Sequence, residues 1–285
     1  GRADLDRAVE LKLSARTFTD LGEVIRLCEE ALKKGLPSED ADFAKHLLAA
    51  TRIQRGMMIG QTLLSGLTID RNWPAFRTLA LEDLEKGLAT EPEQPEAWLL
   101  VSRLQSVPGG DRKKAVDAAT KVIELAGDNP RLTSQALILR AELAEDKQQA
   151  LADLDKVVAL MPDDPEPLRL RGQTRLQVDK FEEALADFDA ALKIEPNHIP
   201  TLESKIDALL ELKRFEQALE ICDQIEKLAP SSAEAVFHRA RIAAVQKDFE
   251  KALELLNKAA ERDPKNPAVL MIRAAVYQEL KKTEE

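Results

Sequence analysis

Four prolines, Pro162, Pro196, Pro230 and Pro264, fall 34 residues apart. Between them the same text returns, as "FEEALADFDAALKIEP", "FEQALEICDQIEKLAP" and "FEKALELLNKAAERDP". Fixed self-similarity at this period builds a row of small stacked units rather than one closed core. Aligned on the prolines, like residues form columns. One runs Gly172, Ile206, Ala240, Ala274; a second Ala184, Ala218, Ala252; a third Phe188, Cys222, Leu256; a fourth Ala191, Ile225, Ala259. Small residues let two helix backbones approach, and the larger apolar ones fill the space beside them. Within a unit the apolar spacing is helical: Leu168, Gly172 and Arg175 share one face, and Ala184, Leu185, Phe188, Ala191 and Leu192 another.

Each unit therefore reads as helix, short turn, helix, closed by proline, which cannot continue one helix but can open the next. The turns carry cap residues. Asp179 with Glu182 and Asp146 with Gln149 fit the capping-box spacing, and Asp248 and Asp111 sit where a lone cap would.

This pattern resembles the tetratricopeptide repeat family, in the manner of bacterial multi-repeat arrays. The matching residues are the small residue of the first helix (Gly172, Ala240), the alanine opening the second (Ala184, Ala218, Ala252), the large apolar residue after it, the second small residue (Ala191, Ala259) and the terminal proline. The match runs from about Trp98 to the end of the chain. The aromatic that often opens the first helix is present as Trp98 and replaced by Leu168, Leu202 and Val236. The resemblance implies an all-α fold, an α-solenoid of helix-turn-helix repeats forming a right-handed superhelix.

In chain order, residues 3–16 and 20–34 read as two helices of a degenerate first repeat, with Gly35 as C-cap. A long helix from Asp40 to Leu64 and another from Pro74 to Thr90 make a second, elongated unit. The segment 65–73 between them, ending in an exposed-looking Trp73, is the least standard stretch and reads either as packing back on its helix pair or as touching a partner. Residues 1–92 are thus expected to hold degenerate repeats, 93–266 five consecutive repeats, and 267–285 a C-terminal capping helix.

Composition narrows the function. The formal net charge is -10, and aromatic residues are 4% of the chain. No phosphate-neutralising patch or stacking platform for nucleic acid is evident. No run of 18 apolar residues exists, which argues against membrane insertion. Cys28 and Cys222 lie on apolar helical faces and read as buried thiols. His46, His198 and His238 fall in different units, and His198 sits in an inter-repeat turn as a cap or in solvent. Gly109-Gly110 supplies positive φ to a turn and lacks the Lys-Ser/Thr of a phosphate loop. No metalloprotease, nucleophile-elbow or paired-cysteine motif is present. The chain is expected to be non-catalytic and to need no cofactor. It opens Gly1-Arg2 without Met, as a fragment would. That leaves the compartment open, the cytoplasm slightly favoured and a periplasmic or secreted parent not excluded.

In the family the first helices line an inner groove. Here their outward positions are Leu99 and Arg103, then Ile138 and Glu142, then Arg169, Leu170 and Gln173, then Glu203, Ser204, Asp207 and Glu211, then Phe237, His238 and Arg241, then Met271 and Ala275. The best-known peptide binders of the family hold a terminal carboxylate with a Lys/Asn cluster, which this chain lacks. Acidic Glu203, Asp207 and Glu211 lie between Arg169 and Arg241 instead, with Phe237 and Met271 adding apolar contact. The expected function is a protein-protein interaction scaffold whose groove takes a peptide or partner domain with basic and apolar side chains. The same charges have an internal use: Arg169 and Arg241 pairing with Glu203 and Asp207 across neighbouring helices. The alternatives are a self-assembling module, homo-oligomeric through its end faces, and the regulatory arm of a larger multidomain protein.

Overall fold

The computed structural model describes residues 1–66 and 72–284. Fifteen helices and no strand occur among them. They are α1 (Arg2–Ser14), α2 (Phe18–Lys34), α3 (Ser38–Leu64), α4 (Trp73–Leu88), α5 (Pro95–Ser106), α6 (Arg112–Leu125), α7 (Pro130–Leu143), α8 (Lys147–Leu160), α9 (Pro165–Leu176), α10 (Phe181–Ile194), α11 (Ile199–Glu211), α12 (Phe215–Leu228), α13 (Glu234–Val245), α14 (Phe249–Arg262) and α15 (Pro267–Glu284). The protein is an all-α solenoid of helix-turn-helix repeats. Its contacts group into two compact units, Gly1–Leu160 and Met161–Glu285.

Each unit holds a row of small cores. In Gly1–Leu160, one core joins Ile53, Leu63, Leu84, Leu88, Leu100 and Leu104, and another joins Val24, Leu27 and Cys28 with Ala8 and Leu48. In Met161–Glu285, Phe188, Leu202, Ile206, Leu209, Cys222 and Ile225 form one core, and Val236, Ala240, Leu256, Ala259 and Val276 the next. The column residues Ala184, Ala218, Ala252, Phe188, Cys222 and Leu256 are all inaccessible to solvent. Gly172 is the small residue the first column demands: a Cβ there would meet the Phe188 ring at 2.6 Å. Burial pushes the thiols up, Cys28 to about 11 and Cys222 to about 12, because a thiolate loses its hydration there.

Most of the punctuation follows the sequence. Asp111 and Asp248 cap α6 and α14, accepting hydrogen bonds from the backbone N–H of Lys114 and Lys251. His198 caps α11 by accepting from the N–H of Thr201. Pro95, Pro130 and Pro165 open their helices, where the missing N–H has no partner to lose.

Asp179 is a correction. It lies one residue outside the cap, with φ 59, and Lys180 occupies the N-cap without a side-chain bond. Lys213 (φ 57) and Lys247 (φ 64) repeat that left-handed bend at the same register. Each bend closes with a backbone hydrogen bond across five residues, Lys180 N–H to Arg175 O, Arg214 to Leu209 and Asp248 to Ala243. In the Gly109-Gly110 turn only Gly109 has positive φ. Gly110 is needed for space, since a Cβ there would lie 2.0 Å from the Gln105 carbonyl oxygen.

Candidate functional site

The site expected on the first helices resolves into one compact cluster and several separate residues. Within Met161–Glu285, α11 and α13 are the first helices of successive repeats. Residues 34 apart on them lie side by side. Asp207 accepts a hydrogen bond from the Arg241 guanidinium at 2.6 Å. The same guanidinium donates to His238 Nδ1 at 3.2 Å, so the imidazole proton belongs on Nε2. Nε2 stands 3.7 Å from a Glu203 carboxylate oxygen. The Phe237 ring meets the His238 ring edge-on, with centroids 5.5 Å apart, and lies 5.9 Å from the Arg241 guanidinium carbon. Glu203, Asp207, Phe237, His238 and Arg241 are thus brought together, as a continuous strip of acid, base and aromatic ring.

The others are not part of it. Arg169 does not meet Glu203: it pairs with Glu166 on its own helix and with Glu195 after α10, at 2.7 and 2.8 Å. A carboxylate one turn away outcompetes one on the next helix. Gln173, Glu211 and Met271 are exposed, Met271 at 72%. Arg103 is exposed on α5, in the other compact unit. Two expectations of outward position fail. His238 is 5% and Leu99 6% exposed. Both are covered by neighbouring elements, which a single helix's periodicity does not reveal.

The sequence reading missed a second set of charges altogether. Arg55 on α3 holds Asp83 on α4 through two hydrogen bonds, at 2.5 and 2.9 Å. Arg140 on α7 holds Asp153 on α8 the same way, at 2.7 Å twice. Arg171 and Arg175 on α9 converge on Asp187 of α10. All three aspartates are buried, at 2–4% exposure. The Asp153 hydrogen bond keeps the Arg140 pKa above its ordinary value. The arginine stands one residue before the small column (Gly56, Ala141, Gly172), and the aspartate three after the alanine column (Ala80, Ala150, Ala184). Where the chain has Val101 and Ala118 at those positions, both are buried in one apolar core. That column pairing was the available signal. The lock joins the two helices of one repeat and faces no groove.

Trp73 is half-buried. With Phe18, Met58, Ile59, Leu63 and Phe76 it lines an apolar pocket of about 210 Å³ in Gly1–Leu160, and the Arg77 guanidinium lies over its ring at 5.7 Å. Residues 67–71 of the segment 65–73, read either as packing back on its helix pair or as touching a partner, lie outside the described residues.

Models of the tetratricopeptide repeat match residues 137–210 and 209–276. No curated protein matches the sequence. Among solved structures, PilW, a widely conserved type IV pilus biogenesis factor, superposes with a TM-score of 0.59 at 14% identity, covering 77% of this chain and 97% of PilW. YrrB, a TPR protein with an unusual peptide-binding site, gives 0.52 at 19% identity over 68% of this chain and 99% of YrrB. Yeast Tom70 gives 0.52 at 16% identity, over 93% of this chain and 60% of Tom70. At such identities the likeness is one of fold. The two family matches together span residues 137–276, and that stretch carries tetratricopeptide repeats. No helix among the described residues is long and apolar enough to cross a membrane.

Proposed function

We propose that the chain is a non-catalytic protein-protein interaction scaffold, and that the first helices of Met161–Glu285 dock an extended or helical peptide. The observation that carries this reading is the strip across α11 and α13. There a half-buried Phe237 meets His238 edge-on and lies near the Arg241 guanidinium, while Asp207 accepts from Arg241 and Glu203 stands near His238. A ring held in place by its neighbours presents apolar area at little entropic cost on binding. The carboxylates have acceptor capacity left after pairing with Arg241 and His238. A peptide with a basic residue next to an apolar one matches both features, with charge setting register and on-rate. Exposed Glu211 and Met271 extend the same chemistry along neighbouring first helices.

The candidate catalytic groups have structural employment. His198 caps a helix, His46 pairs with Glu91, and both thiols are buried and held protonated.

Peptide display against the whole chain tests the reading, with Phe237→Ala as the control. Enriched sequences should carry Lys or Arg beside a large apolar residue. Each should bind the variant at least roughly tenfold more weakly, because a hot-spot aromatic contributes on that scale. Equal enrichment on both proteins would remove the groove assignment.

A further inference from the structure

Histidine is the side chain whose charge ordinarily changes between pH 5 and 8, and the α11–α13 strip holds one, His238. The fold does not ask for a titratable group at this position. The same column carries Leu170, Ser204 and Ile272 in other repeats. His238 is also buried, so any charge it acquires must be met by its neighbours rather than by water.

Those neighbours act in opposite directions. On α13, one nitrogen of the Arg241 guanidinium donates both to Asp207 of α11, at 2.6 Å, and to His238 Nδ1, at 3.2 Å. The second bond needs Nδ1 without a proton. On α11, a Glu203 carboxylate oxygen stands 3.7 Å from Nε2. That is beyond hydrogen-bond length and within reach of an ion pair. Helix α13 also packs on α12, α14 and α15. The α12 carboxylates that reach it, Asp223 and Glu226, are held by Arg239. Among the described residues, no charged group of α12, α14 or α15 forms an ion pair or hydrogen bond with the imidazole.

The two forms of His238 therefore demand two arrangements. With the imidazole neutral, Arg241 bridges it to Asp207, and Glu203 keeps its acceptors. With the imidazole charged, Nδ1–H faces the Arg241 N–H, donor against donor and cation against cation. Arg241 must then leave Nδ1, and Glu203 closes on Nε2 as its counter-ion.

We propose that His238 is a pH-sensitive switch of the docking strip, which binds a basic and apolar peptide while the imidazole is neutral and releases it on protonation. The proposal rests on the docking reading above and adds its regulation. Three consequences of protonation share one sign. Glu203 is engaged by the imidazolium instead of the peptide's Lys or Arg. The strip gains a positive charge. Arg241 moves from its place 5.9 Å from the Phe237 ring. Because the peptide selects the neutral form, affinity is full above the His238 titration and is lost as pH falls through it.

Two experiments on the whole chain test this. The first needs no peptide. Side-chain NMR signals of His238 and Arg241 are followed from about pH 8 to about pH 5. The Arg241 signal should move with the His238 midpoint, and Glu203→Gln should lower that midpoint, because the carboxylate favouring the imidazolium is gone. An Arg241 signal indifferent to the His238 titration, or a midpoint that Glu203→Gln leaves in place or raises, overturns the switch. The second repeats the peptide display at about pH 7.5 and about pH 5.5. Sequences enriched on the parent at the higher pH should bind at least roughly threefold more weakly at the lower. His238→Gln, whose amide can accept from Arg241 and donate toward Glu203 without titrating, should bind them equally at both. An equal fall in parent and variant, or none in the parent, overturns the proposal. Absence of enrichment at either pH removes the docking reading instead, and the first experiment then decides the His238–Arg241 coupling by itself.

Discussion

The α3–α4 and α9–α10 pairs solve the same packing problem in different materials. Both carry the Arg–Asp lock, Arg55–Asp83 in one and Arg171/Arg175–Asp187 in the other. In α9–α10 the close approach is between a backbone and a side chain: the Phe188 ring lies over Gly172. In α3–α4 a backbone crowds the glycines as well as a side chain: a Cβ at Gly56 would meet the Leu84 side chain at 2.7 Å and the Ala80 carbonyl oxygen at 2.9 Å, and one at Gly87 would meet Ile53 at 2.5 Å and the Ala49 carbonyl oxygen at 2.9 Å. A side chain can be exchanged for a smaller one, whereas a backbone oxygen stays where the helix puts it. The regular repeat is therefore adjustable at this contact, and the elongated one is fixed.

The largest effect that probes this comparison should come from the lock that the two pairs share. The same lock in α7–α8 sets the scale: Asp153→Ala strands the Arg140 guanidinium and should cost about 3–5 kcal/mol in chemical denaturation of the whole chain. Asp83→Ala should cost as much. If it costs no more than an exposed pair, the two regions do not share the lock. The double variant Arg140→Val/Asp153→Ala copies the buried Val101 and Ala118 and should recover all but ~1 kcal/mol.

A smaller effect separates the two materials. Gly172→Ala should cost about 1–3 kcal/mol by overpacking and be rescued by Phe188→Leu. Gly56→Ala should cost a similar amount, about 1–3 kcal/mol, and stay unrescued by Leu84→Ala, because the Ala80 oxygen remains. Rescue in both, read from denaturation midpoints, would erase the distinction.

The smallest effect concerns the turns. Asp179→Gly, Lys213→Gly and Lys247→Gly should each stabilise by about 0.5–1 kcal/mol by relieving a left-handed residue. Gly109→Ala, at the left-handed position of its own turn, should destabilise by about 1 kcal/mol. Thermal melts of the four variants check the contrast in sign.

The repeat, its helices and most caps were legible because they are local. Period, small-residue columns and proline stops are set by short-range spacing, and Asp111 and Asp248 each cap the next helix through an N–H three residues on. Asp179 misled because the capping spacing says nothing about φ, and the bend falls one residue before the N-cap. The candidate site was half legible. Asp207 and Arg241 are 34 apart, so the period itself places them on neighbouring helices. Arg169 failed because two nearer carboxylates claimed it.

What the sequence by itself determined is the architecture. A 34-residue period with small residues at helical spacing leaves stacked helix pairs as the way to bury each unit's apolar face. What only the tertiary structure decided is which side of each helix is covered, and by whom. Periodicity defines a face but not its neighbour, so buried His238 and the Asp83, Asp153 and Asp187 locks read as ordinary surface or core until the helices were placed. Burial then turned the charges of the locks from solvated groups into obligatory pairs.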